Sequence, residues 1–152
     1  MTVDPPTINI SRRNILAHRL LIDINVILDV AGEREPYREP SQKILSMIER
    51  RKAHGFVSAV SYSTLYYLLQ RDIGHGDARE FLTVLSELVS IVPVDKSVIE
   101  RAMRVETVDY EDAIQIASAE ACRADFIVTR DVHGYKKSSV KPITPSEYLA
   151  TY

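Results

Sequence analysis

The stretch Arg19-Leu20-Leu21-Ile22-Asp23-Ile24 places one acidic side chain at the end of a run of branched apolar residues. A short apolar run of this kind, followed by polar residues, predicts a buried β-strand over 19–24. A single Asp at a strand end is a common turn residue. Because Asp112 and Asp131 occur later in similar contexts, we expect three carboxylates to converge at one site.

The length and composition of the chain are those of one globular domain. It has 152 residues, 45% of them hydrophobic and 26% charged, which excludes a disordered chain and a repeat array. We divide it into an N-terminal arm, residues 1–18, with a possible edge strand at Thr7 to Ile10, and a domain over residues 19–152. The arm lacks the apolar segment of a secretory signal.

The charge and the cysteine content limit the surroundings in which the protein works. The formal net charge is -2, so a nucleic-acid partner has to be held by a local basic patch. Cys122 is the one cysteine, which excludes an intrachain disulfide and favours a reducing, cytoplasmic location. The apolar stretches are far shorter than the roughly 20 residues of a membrane-spanning helix.

From residue 19 onward, short apolar runs alternate with amphipathic segments, the pattern of an α/β protein with a mostly parallel sheet. We predict the remaining strands over 56–58, 89–94 and 126–129, with a short edge strand near Pro142. We predict helices over 41–53, 61–71, 77–88, 109–123 and 146–149, and a short helix capped by Asp95. Ser61 and an Asp77–Glu80 capping box are the expected starts of the second and third of these helices.

The three acids are expected at one edge of the predicted sheet. Asp23 and Asp131 follow two strands, where ligands bind in parallel sheets. Asp109 and Asp112 share one face of a helix, whose first turn can direct Asp112 toward the same edge. The alternative for each acid is a local role, with Asp109 as a helix cap and Asp131 in a turn.

Three segments together resemble the PIN-domain nucleases over about residues 19–150. They are Leu-Ile-Asp23-Ile-Asn25-Val-Ile-Leu-Asp, Asp109-Tyr-Glu-Asp112-Ala-Ile-Gln-Ile-Ala-Ser-Ala-Glu and Phe-Ile-Val-Thr129-Arg-Asp131. The resemblance implies a three-layer α/β/α sandwich in which Asp23, Asp112 and Asp131 bind Mg²⁺ or Mn²⁺ and cleave RNA. It also implies a supporting role for Asn25, with Asp109 and Thr129 as further supporting residues, and an antitoxin as protein partner.

Thr64 departs from the family pattern, which often places a carboxylate at this position. Glu111, next to the acid of the site helix, is a possible replacement. If no replacement exists, the alternative is a PIN-like module that binds RNA or protein with weak or lost catalysis. A phosphotransfer receiver or a phosphatase on a similar sheet is a third and weaker reading, because residues 23–26 lack the second Asp of a phosphatase motif.

The sequence also predicts basic residues near the acids and an apolar surface on two helices. The candidate contacts for RNA phosphates are basic residues that flank the acids, although such charges are usually only solvated surface: Arg34, Arg38, Arg130, Lys136 and Lys137. The helices over 61–71 and 77–90 carry more Tyr and Leu than one inward face needs, so we expect a homo-oligomer, most simply a dimer. Tyr62, Tyr66 and Tyr67 are expected to be packing residues.

Overall fold

A parallel sheet organises the protein. The computed structural model describes residues 17–107 and 109–152, so the possible edge strand at Thr7 to Ile10 lies outside the described residues. Within those ranges the sheet has the order β3-β2-β1-β4-β5, and every pairing is parallel. Its strands are β1 (Arg19–Ile22), β2 (His54–Ser58), β3 (Ser90–Val92), β4 (Phe126–Val128) and β5 (Lys141–Ile143).

Helices connect the strands. They are α1 (Ile24–Ala31), α2 (Arg38–Glu49), α3 (Ala59–Ile73), α4 (His75–Leu88), α5 (Lys96–Ala102), α6 (Tyr110–Ala121) and α7 (Pro145–Thr151). A short 3-10 turn, His133–Tyr135, follows β4. Across the described residues, no helix combines the length and the apolarity that crossing a membrane requires.

The two faces of the sheet bury different helices, because side chains alternate along a strand. Leu20 and Ile22 point into a core that is shared with α1, α2, α3, α4 and α7. Leu21 points the other way and packs with α6, and α5 packs on α6 in turn. The predicted three-layer α/β/α architecture is therefore confirmed.

The predicted strand over 19–24 is too long, because a helix begins directly after Asp23. The Asp23 carboxylate accepts a hydrogen bond from the backbone N–H of Ile24 at 2.8 Å, which caps α1. The run after Asp23 is rich in β-branched residues, so its sequence resembles a continued strand. Burial of Val26 and Ile27 in the core favours the helix over this local preference.

Two of the predicted helix starts are also wrong. Ser61 lies within α3, fully buried, and its hydroxyl accepts a hydrogen bond from Gln115 of α6 at 2.7 Å. Gly74, with φ of +86°, ends α3, and α4 begins at the next residue. Asp77 therefore lies in the first turn of α4 and does not cap it, whereas Asp95 caps α5 as predicted.

The packed structure includes a residue of the predicted arm. The carbonyl oxygen of His18 accepts a hydrogen bond from the backbone N–H of His54 at 2.8 Å. Nδ1 of the His18 ring lies 2.8 Å from the hydroxyl oxygen of Tyr148 in α7. The domain boundary at residue 19 stays a prediction. His18, which that boundary assigns to the arm, packs against the domain.

Gly55 of β2 gives a test of this packing. A Cβ atom at residue 55 would lie 2.6 Å from Cδ1 of Ile48 and 3.1 Å from Cγ1 of Val89. We expect Gly55→Ala to lower the free energy of unfolding by about 1–3 kcal/mol through overpacking. Ile48→Val removes the nearest atom, so adding it to Gly55→Ala should recover part of the loss in urea denaturation. An additive loss in the double variant would contradict this explanation.

Candidate functional site

The carboxyl ends of β1 and β4 define the candidate site. Strand order reverses at β1, which has β2 on one side and β4 on the other, and crevices form at such switch points. Ile22 is in register with Val128, and the backbone N–H of Asp23 donates to the carbonyl of Val128 at 3.0 Å. Asp23 and the segment from Thr129 to Asp131 therefore leave the sheet side by side.

Asp23 lies at the base of the site. Its side chain is almost fully buried, and one carboxylate oxygen accepts hydrogen bonds from Thr129 at 2.8 Å and from Asn25 at 3.3 Å. Burial raises the pKa of Asp23, and the hydrogen bond from Thr129 opposes this rise most strongly. The other oxygen accepts the hydrogen bond from the backbone N–H of Ile24.

Thr129 links two of the predicted acids. Its buried hydroxyl donates to Asp23 and accepts a hydrogen bond from the backbone N–H of Asp131 at 3.0 Å. The side-chain oxygen of Asn25 accepts from the backbone N–H of Arg130 at 3.3 Å. These contacts fix the path of the chain after β4 relative to Asp23.

Helix α6 brings Asp112 to the same place. The carboxylate of Asp109 caps this helix by accepting from the N–H of Glu111 at 2.8 Å, which sets the direction of the first turn. Burial, together with the negative charges of Asp109, Asp23 and Asp131, raises the pKa of Asp112 to about 6. Asp112 therefore lies close enough to these three acids for their negative charges to repel its carboxylate.

Asp112 and Asp131 meet around Gly134. A Cβ built on Gly134 would lie 2.7 Å from Oδ2 of Asp131 and 3.0 Å from Oδ2 of Asp112. The N–H of Gly134 donates to Oδ1 of Asp131 at 3.0 Å. The two carboxylates therefore face one small space that the absence of a side chain leaves open.

Tyr135 is a site residue that the sequence analysis missed. Its side chain is buried, and the interaction of its hydroxyl with the carboxylates of Asp23 and Asp112 opposes the rise in their pKa values that burial causes. Burial and these negative charges raise the pKa of Tyr135 far above its ordinary value, so the phenol stays protonated as a hydrogen-bond donor. Nothing in the local sequence distinguishes Tyr135 from the other tyrosines, since its role depends on the fold of the turn.

An open pocket of about 630 Å³ lies over these acids. Its wall includes Asp109, Asp112, Asp131, His133, Gly134, Lys136 and Lys137. Asp23 is not part of this wall, but its negative charge helps to raise the pKa of Asp112. Among the described residues, no group of three or more Asp, Glu, His or Cys side chains lies close enough together to hold a metal ion.

The predicted phosphate contacts divide into two groups. Lys136 and Lys137 line the pocket, and Lys137 lies 3.5 Å from exposed Glu106. Arg38 instead pairs with Glu33 at 3.2 Å, outside the pocket wall. Arg34 likewise lies away from the pocket wall; burial raises the pKa of Asp29 there, and the positive charge of Arg34 opposes this rise.

Arg130 has a different environment from the one expected. Its Nε lies 2.7 Å from Oδ2 of fully buried Asp29, and its guanidinium stacks on Tyr37 with Cζ 4.2 Å from the ring centre. The contact with Asp29 is an ion pair without hydrogen-bond alignment. Through these two contacts Arg130 connects the segment from Thr129 to Asp131 with Asp29 and Tyr37.

Thr64 faces the site helix. Its hydroxyl donates a hydrogen bond to the carboxylate of Glu111 at 3.1 Å. This hydrogen bond holds Glu111, which lies in the first turn of α6 next to Asp112. The two side chains point in different directions, because they are neighbours on a helix. The position at which the family pattern often has an acid thus holds an acid from α6 by a hydrogen bond.

Known proteins share this architecture. A family model described as PIN domain matches residues 19–133. Ribonuclease VapC1 of Aquifex aeolicus (strain VF5) is 25% identical over 142 residues, which is 87% of this chain and 94% of that protein. The DNA-bound VapBC structure from Salmonella typhimurium has a TM-score of 0.67 and 11% identity, over 84% of this chain and 98% of that chain. VapC20 of Mycobacterium tuberculosis, a sarcin-ricin loop cleaving toxin, has a TM-score of 0.58 and 16% identity, over 71% of this chain and 86% of that chain.

The raised pKa of Asp112 predicts how stability depends on pH. In the unfolded chain an Asp has a pKa of about 3.9, so below about pH 4 both states are protonated and Asp112 has no effect. Between pH 4 and 6 the unfolded state ionises first, and wild type loses stability relative to Asp112→Asn. We expect this difference to grow over that window and then level off at about 1 kcal/mol, reduced by solvent screening.

Urea denaturation in the presence of a chelator, at a series of pH values, measures this difference. Asp72→Asn removes an exposed carboxylate of α3 and serves as the control. A stability difference for Asp112→Asn that does not change between pH 4 and 6 would contradict the prediction.

Proposed function

This chain belongs to the PIN-domain family, and from that premise we propose that it is a metal-dependent endoribonuclease, the toxin of a toxin–antitoxin pair. The observation that carries the proposal is the convergence of Asp112 and Asp131 on one open pocket, with the buried carboxylate of Asp23 near enough for its charge to raise the pKa of Asp112. Because the acids repel one another, such a cluster raises the free energy of the empty site. That cost is understandable if the site binds a cation.

The residues of the pocket fit a hard divalent cation. Asp23, Asp112 and Asp131 offer carboxylate oxygens, the ligands that Mg²⁺ and Mn²⁺ prefer. The space beside Gly134, into which two of these carboxylates face, is open. When bound there, such an ion would supply an activated water and neutralise charge on a phosphodiester.

The remaining site residues orient the acids and attract the substrate. Thr129 and Asn25 donate hydrogen bonds to Asp23, and the contacts from Thr129 and Tyr135 oppose the rise in its pKa that burial causes. Lys136 and Lys137 place positive charge in the pocket wall. Since the net charge of the chain is -2, the attraction of an RNA phosphate has to come from these local cations.

The hydrogen bond from Thr64 to Glu111 argues against a module that binds without cleavage. That alternative depended on the loss of a carboxylate at position 64. In the folded protein Glu111 provides a carboxylate in contact with Thr64, at 3.1 Å. We propose that Glu111, which lies outside the pocket wall, supplies the negative charge at this side of the site.

The partners follow from the same class of protein. The structural relatives include VapBC complexes and a toxin–antitoxin complex from Klebsiella pneumoniae, which has a TM-score of 0.64 and 19% identity over 83% of this chain. We therefore propose a small antitoxin protein as the partner and RNA as the substrate. The free, buried thiol of Cys122 is compatible with the cytoplasm as the place of action.

The first test of the proposed function is Asp112→Asn. The wild-type protein should cleave RNA when Mn²⁺ is present and lose this activity with a chelator. Asp112→Asn removes a metal ligand but keeps the shape of the side chain, so it should lower cleavage by at least about 100-fold while the protein stays folded. Gel analysis of a structured and an unstructured RNA measures the products.

Asp72→Asn is the matched control, because it makes the same chemical change on an exposed surface of α3. Wild type that gives no Mn²⁺-dependent product from either RNA would refute the nuclease. Equal activity of wild type and Asp112→Asn would remove Asp112 from the site.

The expected self-association has a structural candidate on the α3–α4 side. A groove of about 420 Å³ there is lined by Tyr62, Tyr66, Leu82 and Ile91 together with the polar residues Arg79, Thr83 and Ser86. Tyr67 of α3 is 58% exposed, which makes the expectation of a packing role wrong for this tyrosine, and Ile91 on edge strand β3 is 45% exposed. We propose that a second copy of the chain covers this groove.

Light scattering tests the dimer. We expect twice the single-chain mass of 17.2 kDa for wild type at high micromolar concentration. Ile91→Lys should shift the protein to the single-chain mass, because it places a charge among the apolar residues of the groove. Met103→Lys alters an exposed apolar side chain outside that groove and should leave the dimer intact. A single-chain mass for wild type would refute the proposal.

A further inference from the structure

We propose that Gly134 is a positioning residue that keeps the space between Asp112 and Asp131 open for the divalent cation. This inference rests on the proposed function and concerns a residue that contributes no ligand of its own. Gly134 lies in the 3-10 turn after β4, and its N–H donates to Oδ1 of Asp131 at 3.0 Å. The backbone N–H of Gly134 thus orients the carboxylate of Asp131. Because Gly134 has no side chain, the space beside this carboxylate stays open.

The distances around Gly134 show that no side chain fits there without moving an acid. A Cβ atom would lie 2.7 Å from Oδ2 and 3.2 Å from Cγ of Asp131. It would also lie 3.0 Å from Oδ2 of Asp112. These are three contacts with carboxylate atoms of the two acids, so a methyl group would occupy the space that both acids face.

Backbone conformation does not explain the glycine. The φ angle of Gly134 lies outside the left-handed region, unlike that of Gly74 at +86°. An alanine can adopt such a backbone conformation without strain. The structural reason for glycine at residue 134 is therefore that the neighbouring carboxylates leave no room for a Cβ atom.

The turn itself cannot easily move to accommodate a larger residue. Tyr135, the next residue, is buried and interacts with Asp23 and Asp112. A shift of the turn would remove this large side chain from the core. The cost of a side chain at position 134 therefore falls on the carboxylates, and above all on that of Asp131, whose side chain is exposed.

The consequence for a cation follows from ordinary coordination distances. A Mg²⁺ ion contacts carboxylate oxygens at about 2.1 Å, so an ion shared by two carboxylates needs the space between them. A methyl group at residue 134 would fill part of this space and turn Asp131 away from Asp112. Metal affinity should fall although every ligand residue is still present.

Gly134→Ala with Gly76→Ala as control tests the proposal. A Cβ at Gly76, on the first turn of α4, meets no atom within 4 Å. Calorimetry with Mn²⁺ alone should show about 10- to 100-fold weaker binding for Gly134→Ala, the range typical of residues that orient metal ligands. Gly76→Ala should bind Mn²⁺ as wild type does. In chelator, the unfolding temperature of Gly134→Ala should be close to that of wild type.

The outcomes separate this inference from the proposed function. If wild type binds no Mn²⁺, the metal-dependent function fails. If wild type and Gly134→Ala bind Mn²⁺ equally, only the role of Gly134 is overturned. If Gly134→Ala is too unstable for calorimetry, adding Asp131→Ala should restore its unfolding temperature, because the contact is with the Asp131 carboxylate. An unfolding temperature that Asp131→Ala does not restore would overturn the steric explanation.

Discussion

Parallel pairing of β1 with β4 is the constraint on which the candidate site depends. Both strands end at the same edge, with Ile22 beside Val128, and the backbone N–H of Asp23 continues the pairing by one hydrogen bond. Because the strands come from distant parts of the chain, this pairing brings Asp23 next to the segment from Thr129 to Asp131. The cores on both faces of the sheet hold the pairing in place.

The acids are held together against their mutual repulsion. Burial raises the pKa of Asp23, and burial with three negative neighbours raises the pKa of Asp112. Hydrogen bonds from Thr129 and Tyr135 offset part of this cost, and each is supplied by a side chain that the core fixes. The scaffold thus stabilises an arrangement that the carboxylates alone would not adopt, as expected where a protein prepares a site for a positive ligand.

Basic residues near the acids have two different roles. Arg130 pairs with fully buried Asp29 and stacks on Tyr37, so it connects α1 and the loop before α2 to the segment after β4. Removing either partner of such a pair would leave a charge in a poorly solvated environment. Lys136 and Lys137, by contrast, lie in the pocket wall. Proximity in sequence to an acid therefore does not identify the basic residues that line the pocket.

The sequence by itself determined the α/β class and most strand and helix positions, because apolar periodicity is a local property. The role of Asp23, Asp112 and Asp131 as metal ligands stays a prediction. Only the tertiary structure decided that the run after Asp23 is a helix, since burial of Val26 and Ile27 outweighs the local preference of that run. It also decided that Tyr135 interacts with the acids and that Gly134 leaves room between them. Those roles depend on distances between α6 and the turn after β4, segments whose relative position is set by packing and leaves no pattern in the sequence.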